Sequence, residues 1–259
     1  MNVRRAAVIG HPVAHSRSPA LFARMAAASG IALEYVALDV APGDLERTLR
    51  GFRGDAAFVG CNVTLPHKEA ALALADVTEP AARACGAANV LTRERGTLIA
   101  DNTDVAGVEA ALAAHGVPLR GARVAILGAG GAARAVAEAA RRNGAASIVI
   151  AARDLSRARR TAQAFGATSC TLDAVPVSDV YANATPVGMQ GQPQLSLLPA
   201  NAPRGAAAFD LVYVPENTPF LAGARERGLV TIPGTAMFLA QAAATFERWF
   251  GIAPAGAEV

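Results

Sequence analysis

Along the chain, short apolar runs of strand length alternate with longer stretches in which apolar residues recur at helical spacing. Ala6 to Gly10 is the first apolar run and predicts a strand; a polar loop, His11 to Ser18, follows it. Pro19 to Met25 has helical period and continues to Gly30, with Ser18 and Pro19 read as its N-cap and first helical residue. Leu33 to Val40 alternates as a strand, Gly43 to Arg50 reads as a short helix, and Asp55 to Thr64 reads as a strand running into a loop. Pro66 to Ala75 predicts a helix with proline in its first turn. That places Lys68 at a helix N-terminus, where the helix dipole opposes a cation. Ala84 to Thr92 and Gly96 to Ala100 read as a hairpin-like pair, ending at Asp101-Asn-Thr-Asp104, which caps a helix from Val105 to His115.

Gly116 to Gly121 is a turn. Beyond it come strands at Arg123 to Leu127, Ser147 to Ala151, Asp179 to Ala184, Ala206 to Val212 and Leu229 to Ile232. Helices follow the glycines after Leu127, run from Leu155 to Phe165, and run from the Thr218-Pro219 cap to Arg227. In the last helix, Thr235 to Trp249, the residues Leu239, Ala242, Phe246 and Trp249 share a face that reads as core. Alternation of strands and helices in both halves favours parallel sheets, an α/β architecture of which the second half is doubly wound.

The stretch Arg123-Val-Ala-Ile-Leu-Gly128-Ala-Gly130-Gly131-Ala-Ala133-Arg134 is a buried strand, a glycine turn and a helix start. Gly128 permits the sharp turn, Gly130 lets backbone approach a pyrophosphate, and Ala133 lets helix and strand pack closely. The helix N-terminus offers its N–H groups to phosphates. The following strand ends in Arg153 and Asp154, at about the spacing of ribose-reading residues. This context, more than the glycines alone, points to a bound nucleotide.

Composition narrows the remaining classes. With 53% hydrophobic and 17% charged residues the chain can bury sizeable cores, and abundant Ala and Gly with 5% aromatics suit close helix-on-sheet packing. The net charge of +3 is small, and the basic residues are scattered except in Arg153 to Arg160, without a stacking platform, so nucleic acid is not an expected partner. That arginine run reads either as a solvated helix face or as an anion-binding rim. Three cysteines, Cys61, Cys85 and Cys170, have no metal-ligand spacing and form no disulfide framework, so no metal is expected and a reducing, cytoplasmic location is. The apolar run after Arg4 and Arg5 is too short for a signal peptide, and none is long enough for a membrane span.

Several separated blocks of polar and small residues punctuate the first half: Gly10-His-Pro-Val-Ala-His-Ser16-Arg-Ser18-Pro19, Gly60-Cys-Asn62-Val-Thr64-Leu-Pro-His-Lys68-Glu, Cys85-Gly-Ala-Ala-Asn89-Val-Leu and Asp101-Asn-Thr-Asp104. The second half adds Gly128-Ala-Gly-Gly-Ala-Ala-Arg134, Asn183-Ala-Thr185-Pro-Val-Gly188-Met189, Phe209-Asp-Leu-Val-Tyr213 and Met237-Phe-Leu-Ala-Gln241-Ala. Together these blocks resemble the shikimate dehydrogenase family, in the family's order and over nearly the full length. The resemblance implies a two-domain α/β enzyme that reduces 3-dehydroshikimate to shikimate with a nicotinamide cofactor, in the pathway to chorismate and the aromatic amino acids. It implies an N-terminal α/β substrate domain, residues 1–103 with 236–259, the C-terminal helix returning to it. A doubly wound Rossmann-type nucleotide-binding domain then spans residues 104–235.

Such a substrate, a small ring with a carboxylate and hydroxyls, needs short hydroxyl donors for the anion and amide or carboxylate groups for the ring oxygens. The resemblance assigns the carboxylate to Ser16, Ser18 and Tyr213, and the ring hydroxyls to Asn62, Thr64, Asn89, Asp104 and Gln241. Singly these residues also suit ordinary capping and turn roles. Lys68 and Asp104 match the catalytic pair that exchanges the hydroxyl proton. A helix N-terminus contributes only about 0.3–1 kcal/mol, too little to make a lysine a base by itself, so the two are read as a coupled dyad. Gly128, Ala129, Gly130, Gly131, Ala132, Arg153, Asp154, Arg157, Thr185 and Met237 are assigned to the cofactor.

The chain departs from the family where the cofactor is read. In place of Asn-Arg-Thr it has Ala152-Arg153-Asp154, followed by Arg157. Two guanidiniums favour NADP, whereas Asp154 would accept from the free ribose diol of NAD or simply cap the next helix. Val90, Val105, Val214 and Phe238 also differ from the residues the family often has. An NAD-dependent quinate/shikimate dehydrogenase, an amino-shikimate relative, and an inactive metabolite-binding regulator are the alternatives; the retained Lys68 and Asp104 argue against the last. The expected partner is the small-molecule substrate, and the expected state a monomer or homodimer.

Overall fold

The computed structural model describes residues 3–256. They divide into two compact units, one of residues up to Thr103 together with those from Leu239 onward, the other Asp104–Phe238. The first unit runs β1 (Arg4–Gly10), α1 (Ser18–Ala28), β2 (Leu33–Asp39), α2 (Leu45–Gly54), β3 (Phe58–Val63), α3 (Lys68–Leu74), β4 (Val77–Thr78), α4 (Pro80–Cys85), β5 (Val90–Glu94) and β6 (Thr97–Asp101). Its strands form a sheet in the order β2-β1-β3-β5-β6-β4. β1 runs parallel to β2 and β3, whereas β5 is antiparallel to both β3 and β6. The β5–β6 pair is the expected hairpin, its short turn leaving no room for a crossover helix; the sheet is nevertheless mixed, not parallel as strand–helix alternation suggested, because β5 also joins β3 antiparallel.

β3, at the centre, is buried along its whole length, as a strand covered on both faces must be. Ala7, Ile9, Cys61 and Val63 face Leu45 and Leu49 of α2, Ala71 of α3 and Ala82 of α4.

Three local expectations are corrected. Arg17 occupies the cap of α1 with backbone already in the right-handed helical region (φ −86°, ψ −4°), so Ser18 is the first helical residue and makes no side-chain cap. Pro66 precedes α3 instead of opening it: a turn closed by His67 N–H to the Thr64 carbonyl (2.9 Å) comes first, and the helix starts at Lys68. The stretch from Ala84 is not strand at first. α4 continues to Cys85, Gly86 ends it in the left-handed region (φ 62°), and pairing starts only at Val90.

The second unit runs α5 (Asp104–Ala114), β7 (Arg123–Leu127), α6 (Gly131–Arg142), β8 (Ser147–Ala151), α7 (Leu155–Ala164), β9 (Thr168–Cys170), β10 (Val180–Asn183), β11 (Ala207–Asp210), α8 (Pro219–Glu226) and β12 (Val230–Ile232). Its sheet has the order β12-β11-β10-β7-β8-β9, every pair parallel. This is the doubly wound order, with the chain reversing direction across the sheet between β7 and β10. Thr218 caps α8 by accepting from Leu221 N–H, as its place before Pro219 suggested. Among the described residues no helix is long and apolar enough to cross a membrane.

The last helix, α9 (Gly234–Phe250), returns the chain to the first unit from Leu239 onward. There Phe22 of α1 stacks on Tyr35 of β2 at 4.4 Å between ring centroids, and Trp249 approaches Phe22 at 5.4 Å. The Trp249 indole lies edge-on against the backbone of β3 at Gly60. A Cβ there would meet the Leu91 carbonyl oxygen and stand 2.5 Å from the indole nitrogen. Gly60→Ala therefore forces two neighbours apart, one of them backbone. It should cost about 2 kcal/mol, a fall of roughly 4–8 °C in the thermal midpoint; an unchanged midpoint would show that α9 does not press on β3.

Candidate active site

In the first unit, strand register collects the candidate residues at one end of the strands. Ile9 lies beside Val63 and Asn62 opposite Val90, and Val90 in turn faces Asp101. The carboxyl ends of β1, β3 and β6 and the beginning of β5 consequently lie together. The segments leaving them carry Ser16, Thr64, Lys68, Asn89 and Thr103. The loops after β1 and β3 are bound to each other, Thr64 N–H to the Ile9 carbonyl and His11 N–H to the Leu65 carbonyl, both at 2.9 Å.

Lys68 opens α3, and its carbonyl accepts from Ala88 N–H at 2.8 Å, which ties the lysine's backbone to the residue before Asn89. His67, buried, donates from Nε2 to the Val40 carbonyl at 2.7 Å and fixes the start of the same helix. On the other loop Ser16 Oγ accepts from Ser18 N–H at 3.3 Å, leaving its hydroxyl hydrogen for an anion.

The amides sit in a buried network. Asn62 Oδ1 accepts from the Tyr35 hydroxyl at 2.8 Å, and its Nδ2 is 3.4 Å from Thr245 Oγ1. Asn89 Nδ2 donates to Thr103 Oγ1 at 3.0 Å, and Asn89 Oδ1 accepts from Thr103 N–H at 2.7 Å. Thr103 and Thr245 meet hydroxyl to hydroxyl at 3.0 Å. Gln241, buried one turn before Thr245, has its carbonyl bonded by the Thr245 hydroxyl. Tyr35 and Thr245 were not singled out from the sequence. The one usable signal was spacing, since Thr245 is four residues beyond Gln241 and so on the same helix face.

In the second unit the glycine turn joins β7 to α6. Gly128 has φ 120°, and a Cβ there would stand 2.8 Å from the Ala184 carbonyl oxygen. Any side chain would therefore be both strained and obstructed. Gly130, in extended conformation, precedes the first turn of α6, whose N–H groups face outward. The Arg157 guanidinium lies 3.8 Å from the position of a Gly130 Cβ. A bare backbone cradle, a helix N-terminus and an adjacent guanidinium fit a dinucleotide pyrophosphate and a further phosphate.

Asp154 caps α7: its Oδ1 accepts from Arg157 N–H at 3.1 Å and from the Ser156 hydroxyl at 2.7 Å. These bonds hold its carboxyl below the usual range. Arg153 is exposed beside it. Thr185, at the end of β10, bonds the Asn183 side chain through both N–H and hydroxyl. The Tyr213 ring stacks on Phe238 at 4.5 Å, and Met237 is buried.

The first unit thus brings together Asn62, Thr64, Lys68, Asn89 and Gln241, with Ser16 and Ser18 on the loop after β1; Asp104, Tyr213 and Met237 belong to the second unit.

Two family profiles match the chain, one within each unit. The profile of the shikimate dehydrogenase substrate binding domain matches residues 8–91, and that of the coenzyme F420-dependent NADP oxidoreductases matches 123–190. The chain is 43% identical to the shikimate dehydrogenase (NADP(+)) of Mesorhizobium japonicum, over 97% of this chain and 92% of that protein. It is 45% identical to that of Paracoccus denitrificans, over 96% and 91%. The shikimate 5-dehydrogenase of Thermus thermophilus, solved in complex with NADP(H) and shikimate, superposes with a TM-score of 0.86 at 39% identity, covering 98% of this chain and 96% of that one.

One buried carboxyl gives the second unit a pH dependence. Asp210, at the end of β11, is wholly inaccessible, and burial pushes its pKa up to about 6 against the pull of hydrogen bonds from Thr218, Val212 and Asn183. A folded pKa above the unfolded one means that the protonated form favours folding. That contribution is complete below about pH 4 and is lost as pH rises through 6, up to about 3 kcal/mol in all. In Asp210→Asn the dependence should vanish, so wild type gains thermal stability relative to the variant as pH falls from 8 to 5. A constant difference across that range would contradict the assignment.

Proposed function

Because the chain belongs to the shikimate dehydrogenase family, we propose that it catalyses the reversible, NADP-dependent oxidation of shikimate to 3-dehydroshikimate. What carries this reading is the gathering of amides, hydroxyls and one lysine at one end of the strands of the first sheet, in a chain whose relatives at over 40% identity are NADP-dependent shikimate dehydrogenases. The first unit holds the substrate and the second the cofactor. Ser16 and Ser18 take the carboxylate; Asn62, Thr64, Asn89 and Gln241 take the ring hydroxyls. NADP bound by the second unit would supply the two-electron hydride acceptor for oxidation at the carbinol carbon.

Lys68 exchanges the proton of that carbon's hydroxyl. It receives the proton as an amine in oxidation and returns it as an ammonium in reduction, with Asp104 as its partner. Arg153 and Arg157 hold the 2′-phosphate that distinguishes NADP, as planar guanidiniums suit a phosphate. Asp154 is already engaged by Ser156 and the Arg157 backbone, which supports a capping role over recognition of a ribose diol.

Two variants test the roles separately. Lys68→Ala should lower kcat by about 10²–10⁴ with the shikimate KM within a few-fold of wild type; turnover close to wild type would remove Lys68 from the chemistry. Arg157→Ala should raise the NADP KM about 10- to 100-fold and leave the shikimate KM unchanged. A clear wild-type preference for NADH over NADPH would overturn the cofactor assignment.

A further inference from the structure

We propose that Thr245 is a positioning residue for the substrate pocket, its one hydroxyl setting the orientation of the Asn62 amide directly and, through the Thr103 hydroxyl, holding in place the Asn89 amide that the Thr103 N–H orients. The inference rests on the reading that Asn62 and Asn89 hold the ring hydroxyls of shikimate. Thr245 is fully buried on α9, and its Oγ1 donates to the Gln241 carbonyl at 2.9 Å, the bond a helical threonine makes to the preceding turn. With its only hydrogen committed there, Oγ1 can meet its other neighbours solely as an acceptor.

The direction of every other bond follows. Thr103, 3.0 Å away, donates to Thr245 in preference to Asn89 Oδ1 at 3.4 Å, and its own oxygen accepts from Asn89 Nδ2. Thr103 N–H, 2.7 Å from Asn89 Oδ1, fixes the other end of that amide. Asn62 likewise directs Nδ2 towards Thr245 and Oδ1 towards the Tyr35 hydroxyl.

Flipping either amide sets like groups against each other in a buried place. A flipped Asn89 would turn its NH₂ towards Thr103 N–H, and a flipped Asn62 would turn its oxygen towards the Thr245 oxygen. Each leaves buried polar groups without a partner. An amide is nearly symmetric in shape, so only such a network decides which end presents a donor and which an acceptor to a ligand. The polarity runs one way, from the two amides through the hydroxyls to the Gln241 carbonyl. Gln241 is itself assigned to the substrate, so one hydroxyl on α9 touches or governs three of the groups that read the ring.

The test compares Thr245→Val, which keeps the shape and removes the hydroxyl, with Thr245→Ser, which keeps the hydroxyl. Each is assayed in the full chain for kcat, shikimate KM, NADP KM and thermal midpoint, with Asn89→Ala as the reference for a lost substrate contact. Thr245→Val should raise the shikimate KM about tenfold or more, with kcat within a few-fold and the NADP KM unchanged; Thr245→Ser should restore the wild-type KM. A shikimate KM unchanged in Thr245→Val, while Asn89→Ala raises it, overturns the proposal. So does a rise in both KM values in step with a lowered midpoint. If Thr245→Val and Thr245→Ala fail to fold while Thr245→Ser folds, the hydroxyl is structural and the proposal also falls. Wild type inactive on shikimate, or Asn89→Ala without effect, would instead refute the functional reading beneath it.

Discussion

The first unit depends on one hydrogen-bonded register, the one that sets Val8 and Val90 on either side of Asn62. A slip of one residue in β3 would turn Asn62 and Cys61 over, placing an amide among the apolar side chains of α2 and α3 and a thiol at the Tyr35 hydroxyl. The register is held from both faces, by Leu45, Leu49 and Ala71 against Cys61 and Val63 on one side and by the Trp249 ring against Gly60 on the other. Packing of apolar side chains and presentation of polar ones are thus the same constraint. β3 is a fully buried strand that carries an amide at its end, and the amide is tolerated because Tyr35 and Thr245 satisfy it.

In the second unit the corresponding constraint is backbone alone. Gly128 must turn where the Ala184 carbonyl leaves no space for a Cβ, and the turn ends where α6 begins with its amides unpaired. Nothing there distinguishes one dinucleotide from another. In the proposed reading discrimination falls to side chains at the end of β8, where Arg153 and Arg157 are exposed and Asp154 is turned to its own helix. Capping is settled at this point by one oxygen of that carboxylate, Oδ1, which accepts from both Ser156 and Arg157.

What could be read from the sequence follows from how local its cause is. The strand, glycine turn and helix from Arg123 to Arg134 are contiguous, and so is the Thr218-Pro219 cap; both stand as expected. The β5–β6 hairpin was legible in two short apolar runs parted by a glycine turn, but the antiparallel pairing of β5 with β3 was not, because strand–helix alternation was extended across the two short helices between them. Ser18 was read as a cap since its neighbour is proline, but the backbone of Arg17 had already entered the helix. The polar network was least accessible: Asn62 and Thr245 are 183 positions apart, and no periodicity marks two hydroxyls that meet only after α9 has folded back. Asp210 was visible as part of a motif, whereas its burial and raised pKa come from three-dimensional packing.

Every role given to a side chain here depends on this chain oxidising shikimate with NADP. The direct measurement is the near-ultraviolet absorbance of reduced nicotinamide when the purified protein meets shikimate or quinate with NADP or NAD. Rapid growth of that absorbance with shikimate and NADP, and a much slower response in the other three combinations, is the predicted result. Binding of shikimate without any change in absorbance, or faster turnover with quinate or with NAD, would contradict it.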